Sequence, residues 1–176
     1  MGIYASGSGS LAPIGPGTAS GVLCIVPAVR NVFRWLSAIL FAAVVVQVAL
    51  AAFGGFDAVH KADKVSISKK TIENGFNAHG LVGTIIVIAM LVLLIVAAAG
   101  RLGPTQVKWA GGIFALGVIQ YLLGVVSTSA PVLGLLHGLN ALLIFAATGL
   151  LAHRTWTRGA AEARPVRAVR APSAPA

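Results

Sequence analysis

Apolar residues run along this chain in four long, nearly uninterrupted blocks, at about residues 32–53, 76–99, 109–127 and 132–152. Each block holds 19 to 24 residues, and a helix needs about 20 to cross a hydrocarbon core about 30 Å thick. Inside lipid the backbone must satisfy its own polar groups, so blocks of this length predict membrane helices. The pattern predicts an all-α integral membrane four-helix bundle built from two helical hairpins. The flanks read differently. Residues 1–28 are rich in Gly, Ser, Ala and Pro without period and predict a flexible leader, and residues 157–176 predict a basic, disordered tail. The transmembrane domain is therefore expected over 29–156. The apolar run Val22 to Val26 does not read as a signal peptide, because no basic region precedes it and Pro27 cuts it short.

Composition agrees with the blocks. The chain is 57% hydrophobic and 10% charged, with a mean hydropathy of +0.92, far from the balance of a soluble domain. Its single Cys, Cys24, excludes a disulfide framework and any multi-cysteine metal site. The net charge of +9 does not indicate a nucleic-acid partner, because the basic residues flank apolar spans and form no soluble basic face. Their distribution sets an orientation instead. Arg30, Arg34, Arg101, Lys108, Arg154, Arg158, Arg164, Arg167 and Arg170 fall on one side of the four spans, nine of thirteen Lys and Arg. Lys61, Lys64, Lys69 and Lys70 fall on the other, diluted by Asp57, Asp63 and Glu73. The positive-inside rule places both termini in the cytoplasm of a multi-pass plasma-membrane protein. Trp35, Trp109 and Trp156 lie at the cytoplasmic ends, where indole rings anchor helices at the interface.

The two halves of the chain echo each other. Arg34-Trp35 opens the first span and Lys108-Trp109 the third; Gln47 follows Trp35 by twelve residues and Gln120 follows Trp109 by eleven. His79-Gly80-Leu81 begins the second span as His137-Gly138-Leu139 begins the fourth. A repeated hairpin in one orientation implies a pseudo-two-fold axis along the membrane normal. Counted from the span ends, His79, His137, Gln47 and Gln120 all fall in one layer, roughly 5–10 Å below the outer surface. The rest of the membrane core has almost no polar side chains.

An imidazole inside a membrane span is costly and marks a site. Two imidazoles at one depth suit haem b, whose iron accepts one axial histidine on each face. His79 and His137 would be the ligands. Gly80 and Gly83, with Gly134, Gly138 and Ala141, would let a porphyrin lie close to the backbone, and Lys69 and Lys70 would meet its propionates. The same residues support two other readings. The imidazoles can hydrogen-bond to Gln47, Gln120 or Asn140 and hold the bundle together without a cofactor, as in a structural or accessory subunit. They can also form a quinone or proton site. A metal centre other than haem lacks a carboxylate in the layer. No catalytic residue is evident: Glu73 reads as a solvated loop acid beside Lys69 and Lys70, and no activated serine accompanies Asp57 or Asp63. The expected partners are the lipid bilayer and, for electron transfer, a quinone or membrane complex.

The stretch Asn77-Ala78-His79-Gly80-Leu81-Val82-Gly83 resembles the histidine-bearing second helix of a haem A synthase half. Gln120-Tyr121-Leu122-Leu123-Gly124, the short turn with Pro131, and Leu136-His137 resemble the third and fourth helices of such a half. The resemblance covers about residues 32–153, one four-helix half of that family, and extends to a group of small actinobacterial four-helix membrane proteins. It implies haem held by one histidine on the second helix and one on the fourth, at the outer side. The family's catalytic Glu stands three or four residues before the second-helix histidine, where this chain has Phe76 and Gly75, and Gly80 stands where the family has Arg. These departures count against haem A synthase activity and leave haem binding standing.

Overall fold

A computed structural model describes residues 17–62, 68–127, 129–130 and 132–162. Four α-helices account for nearly all of them: α1 Gly17–Ala62, α2 Lys69–Ala99, α3 Pro104–Ser127 and α4 Val132–Glu162. Each is long and apolar enough to cross a membrane. The helices exceed the apolar blocks, because extending an existing helix adds a hydrogen bond per residue without a new nucleation cost. Residues 17–28 of the expected leader and 157–162 of the expected tail continue α1 and α4. Residues 1–16 and 163–176 lie outside the described residues. Pro27 sits inside α1, where it withholds one N–H from the ladder.

α2 begins seven residues before its apolar block. Ser68 caps it in an extended conformation, its side chain accepting from the Thr71 backbone N–H at 3.2 Å. At the other end, Leu102 N–H reaches the Ala97 carbonyl and Arg101 N–H the Ala98 carbonyl, both at 3.1 Å. This pair of bonds closes a Schellman turn whose left-handed position is Arg101, at φ 50°. Gly100, one residue earlier, is needed for a different reason: a Cβ there would run into Val29 of α1. Gly103, at φ 98°, and Pro104 then start α3.

Neighbouring helices pack in a ring, α1 on α2, α2 on α3, α3 on α4 and α4 on α1, so α2 and α4 face each other across the bundle axis. One end of the bundle carries the α1–α2 and α3–α4 connections (the hairpin end). The opposite end carries the α2–α3 turn, the start of α1 and the finish of α4 (the terminal end). The core is a seam of residues spaced three and four apart. It comprises Phe33, Ser37, Leu40 and Val44 on α1; Ile86, Met90, Leu93 and Ala97 on α2; Ala110, Ile113 and Gly117 on α3; Asn140, Ile144, Thr148 and Leu151 on α4. That spacing is the heptad-like packing of helix bundles. Lipid tails are as apolar as leucine, so close packing holds this seam more than removal from water does. Gly117 illustrates it: a Cβ there would overlap the Met90 sulfur. Ser37 and Thr148 satisfy their hydroxyls on the carbonyls of Phe33 and Ile144, one turn back, at 2.8 Å each. Large apolar side chains such as Ile39, Ile85, Ile88, Leu142 and Leu143 cover the outside, a surface suited to lipid.

Candidate functional site: the histidine layer

The heptad-like seam continues from the core toward the hairpin end. Three residues beyond Val44 is Gln47; seven before Ile86 is His79; three beyond Gly117 is Gln120; seven before Ile144 is His137. Helical register therefore turns all four polar side chains inward, and each is half-buried.

Each hairpin ties its histidine in the same way. His79 Nδ1 lies 3.2 Å from the backbone carbonyl of Gln47, and His137 Nδ1 lies 3.1 Å from the backbone carbonyl of Gln120. A carbonyl only accepts, so Nδ1 carries the proton in both rings and each Nε2 is left with its lone pair. The glutamine amides differ. Gln47 donates from Nε2 to the His79 carbonyl at 2.7 Å, and its Oε1 is buried with no hydrogen bond among the described residues. Gln120 donates from Nε2 to His137 Nε2 at 3.0 Å, while its Oε1 accepts from Asn140 Nδ2 at 2.8 Å. Asn140 also donates to the Leu116 carbonyl at 3.0 Å. The α3–α4 side is thus a closed chain of bonds, and the α1–α2 side keeps an open acceptor. Among the described residues no hydrogen bond engages His79 Nε2, since its bonds run through Nδ1 and the backbone carbonyl.

The two imidazoles meet across the axis. Their ring centroids are 6.3 Å apart, with planes inclined by 63°. Phe76 stands edge-on to His79, at 6.2 Å. Glycines set the approach of the helices around the pair. A Cβ on Gly83 would stand 2.8 Å from Gln47 Nε2, and one on Gly124 would stand 3.3 Å from His137 Cε1. Toward the hairpin end, α1 and α2 touch backbone to backbone, a Gly54 Cβ falling 2.9 Å from the Gly75 carbonyl oxygen.

Of the residues expected at the site, His79, His137, Gln47 and Gln120 come together, and Gly83 serves the Gln47 amide. Ala141 is partly buried on α4, one helical turn from His137. Gly80 and Gly138 are exposed, with open space where a Cβ would stand. Lys69 and Lys70 are exposed at the start of α2, ten and nine residues from His79, about 15 Å along the helix. Lys69 pairs with Glu73 at 3.6 Å. Two contributors were not evident from the sequence: Phe76 and the Gly54–Gly75 contact. Phe76 sits one turn from His79 on the same inward seam, which is the signal that places it.

Among the described residues, no three or more His, Cys, Asp or Glu side chains gather as a metal-ion cluster; a bis-histidine haem site would use only two side chains. No protein-family model, curated protein or solved structure matches the chain.

Proposed function

We propose that this is a membrane protein that holds haem b between His79 and His137. The observation that carries the reading is the matched anchoring of the two imidazoles. Metal-ligating histidines characteristically donate the other ring N–H to a carbonyl or carboxylate, which fixes the ring and points its free nitrogen at the metal. Both rings here donate Nδ1–H to a carbonyl, that of Gln47 for His79 and that of Gln120 for His137. The two imidazole centroids stand 6.3 Å apart across the bundle axis, near enough to be recruited to one shared group. When bound, haem would supply one-electron transfer, with a quinone or a membrane complex as the partner class.

This chain's own residues orient and shield. Gln47 and Gln120 lock both ring tautomers, and Phe76 packs edge-on against His79. Ligation by His137 requires the Gln120 amide to leave its Nε2, while Asn140 keeps hold of the Gln120 oxygen. The corresponding histidine–glutamine bonds in the two hairpins support a pseudo-two-fold relation between them. The excess of Lys and Arg at the terminal end supports cytoplasmic termini, which would put the site near the outer face of the plasma membrane.

A second reading is favoured by one specific bond. Gln120 already occupies the lone pair of His137 Nε2, so the layer can act as polar glue in a subunit without a cofactor. A reduced-minus-oxidised absorption spectrum of the purified protein, expressed with haem supplied, separates the two. Sharp α and Soret bands are expected in the parent protein and should vanish in His79→Ala and His137→Ala. A featureless spectrum from folded parent protein refutes haem binding and leaves the glue.

A further inference from the structure

The hairpins α1–α2 and α3–α4 join each other differently at the two ends of the bundle. In the terminal half the seams between them are closed. Phe41 of α1 packs on Phe145 of α4 with ring centroids 5.3 Å apart, and Trp35 meets Trp156 at 5.1 Å. A Cβ on Gly149 of α4 would stand 3.1 Å from Phe41, and one on Gly111 of α3 would stand 3.8 Å from Leu94 of α2. Steps of seven residues return to nearly the same face of a helix, so each seam has a defined continuation toward the hairpin end. Seven residues beyond Phe41 is Val48, which is 54% exposed, and seven before Phe145 is Gly138, where a Cβ would meet nothing within 4 Å. On the other side, fourteen residues before Leu94 is Gly80, again with nothing within 4 Å of a Cβ. Phe114 of α3 packs against the core, but Tyr121, seven residues on, is 50% exposed. Both seams therefore open at the depth of the imidazoles, beside His79 on one flank and beside His137 on the other.

The bonds of the layer follow the same division. Among the described residues, its hydrogen bonds between helices run within a hairpin: from α1 to α2 through Gln47 and His79, and from α3 to α4 through Gln120, His137 and Asn140. The hairpins meet each other there through the two imidazole rings. Separating Gln47 from His79 would strand buried polar groups, whereas separating one hairpin from the other at this depth exchanges packing contacts for contacts with lipid tails, which are equally apolar. We propose that in the haem-free protein the two hairpins part at the histidine layer while their terminal halves stay joined, and that the gap admits a flat apolar ring sideways from the bilayer, one imidazole facing each side of it. The identity of that ring as haem rests on the function proposed above; the parting of the hairpins does not.

The test is double electron–electron resonance on the full chain in lipid nanodiscs, in a Cys24→Ser background that leaves no native thiol. Spin labels on Val48→Cys and Gly138→Cys report the α1–α4 seam at the histidine layer. Labels on Ile39→Cys and Leu150→Cys, both exposed, report the same seam in the terminal half. Without haem, the layer pair should show a second, longer distance that the terminal pair lacks. A single distance for both pairs would overturn the parting, whether or not haem binds. Added haemin should bring the layer pair to one distance and leave the terminal pair unchanged. A bifunctional thiol crosslink between Val48→Cys and Gly138→Cys, made before haemin is added, should abolish its uptake; uptake at the rate of the uncrosslinked protein would overturn sideways entry through the α1–α4 seam. Two distances at the layer in protein that never takes up haemin would overturn the entry of the ring together with haem binding, while the parting would stand.

Discussion

The bond between Gln47 and His79 depends on the bare backbone of Gly83, and a pair of glycine substitutions measures that dependence. In an exposed helical position, replacing Gly by Ala stabilises by about 0.8–1 kcal/mol, because Ala loses less backbone freedom on folding. Gly80 is such a position, with nothing within reach of an added Cβ, so Gly80→Ala should raise stability by about that amount. At Gly83 the same gain is opposed. The new methyl would stand 2.8 Å from Gln47 Nε2, well inside contact distance, and would displace the amide from the His79 carbonyl. Losing that bond and stranding a half-buried amide costs about 1–3 kcal/mol. Gly83→Ala should therefore come out between neutral and about 2 kcal/mol destabilising. A double-mutant cycle isolates the cause. In a Gln47→Ala background the obstacle is gone, and Gly83→Ala should become stabilising, like Gly80→Ala. Equilibrium unfolding in mixed micelles, followed by far-ultraviolet circular dichroism, reads all of these. If Gly83→Ala and Gly80→Ala shift stability by the same amount whether or not Gln47 is present, the glutamine does not dock over Gly83, and the account of the α1–α2 half of the layer is wrong.

Two further perturbations address other parts of the molecule. Arg101 holds the left-handed position of the α2–α3 turn at φ 50°, a conformation that costs a side-chain-bearing residue about 1 kcal/mol relative to glycine. Arg101→Gly should raise the thermal midpoint by a few degrees, and a lowered midpoint would contradict the turn geometry. Gln120→Leu removes the amide that occupies His137 Nε2 while leaving Asn140 its bond to the Leu116 carbonyl. Under the proposed haem binding, haem should be retained in this variant at the parent level or above, at a stability cost of about 1 kcal/mol. A loss of the haem spectrum as complete as in His137→Ala would show that the amide supports the site instead of yielding to it.

How much of this was legible in the sequence depends on which physical effect left a mark there. The four helices were legible because a membrane crossing needs about 20 apolar residues in a row, a requirement few other structures impose. Their ends were not, because helix outside lipid has no hydropathy signature: the first two turns of α2 contain Lys69, Lys70 and Glu73, and only the cap at Ser68 announces them. The convergence of His79, His137, Gln47 and Gln120 was readable as a common depth, and the three-and-four spacing that runs from Phe33 to Gln47 and from His79 to Ala97 turns depth into direction. Glycine was the ambiguous letter. The sequence gives Gly80 and Gly83 equal standing beside His79, yet one faces open space and the other lies under a glutamine amide. That distinction depends on which neighbour leans over which turn, a relation between α1 and α2 that no single stretch of chain encodes. The arginines of the terminal end were ambiguous for the same reason. Read along the chain, Arg30, Arg34 and Arg158 are separate flanking charges that set an orientation. Across the ring of helices, two come from the first helix and one from the last, and the contact of α1 with α4 brings them to one cleft. Both polar features of this bundle therefore arise at contacts between helices. The hairpin connections bring each histidine to its glutamine, and the closure of the ring brings the two imidazoles, and the three arginines, to a common place.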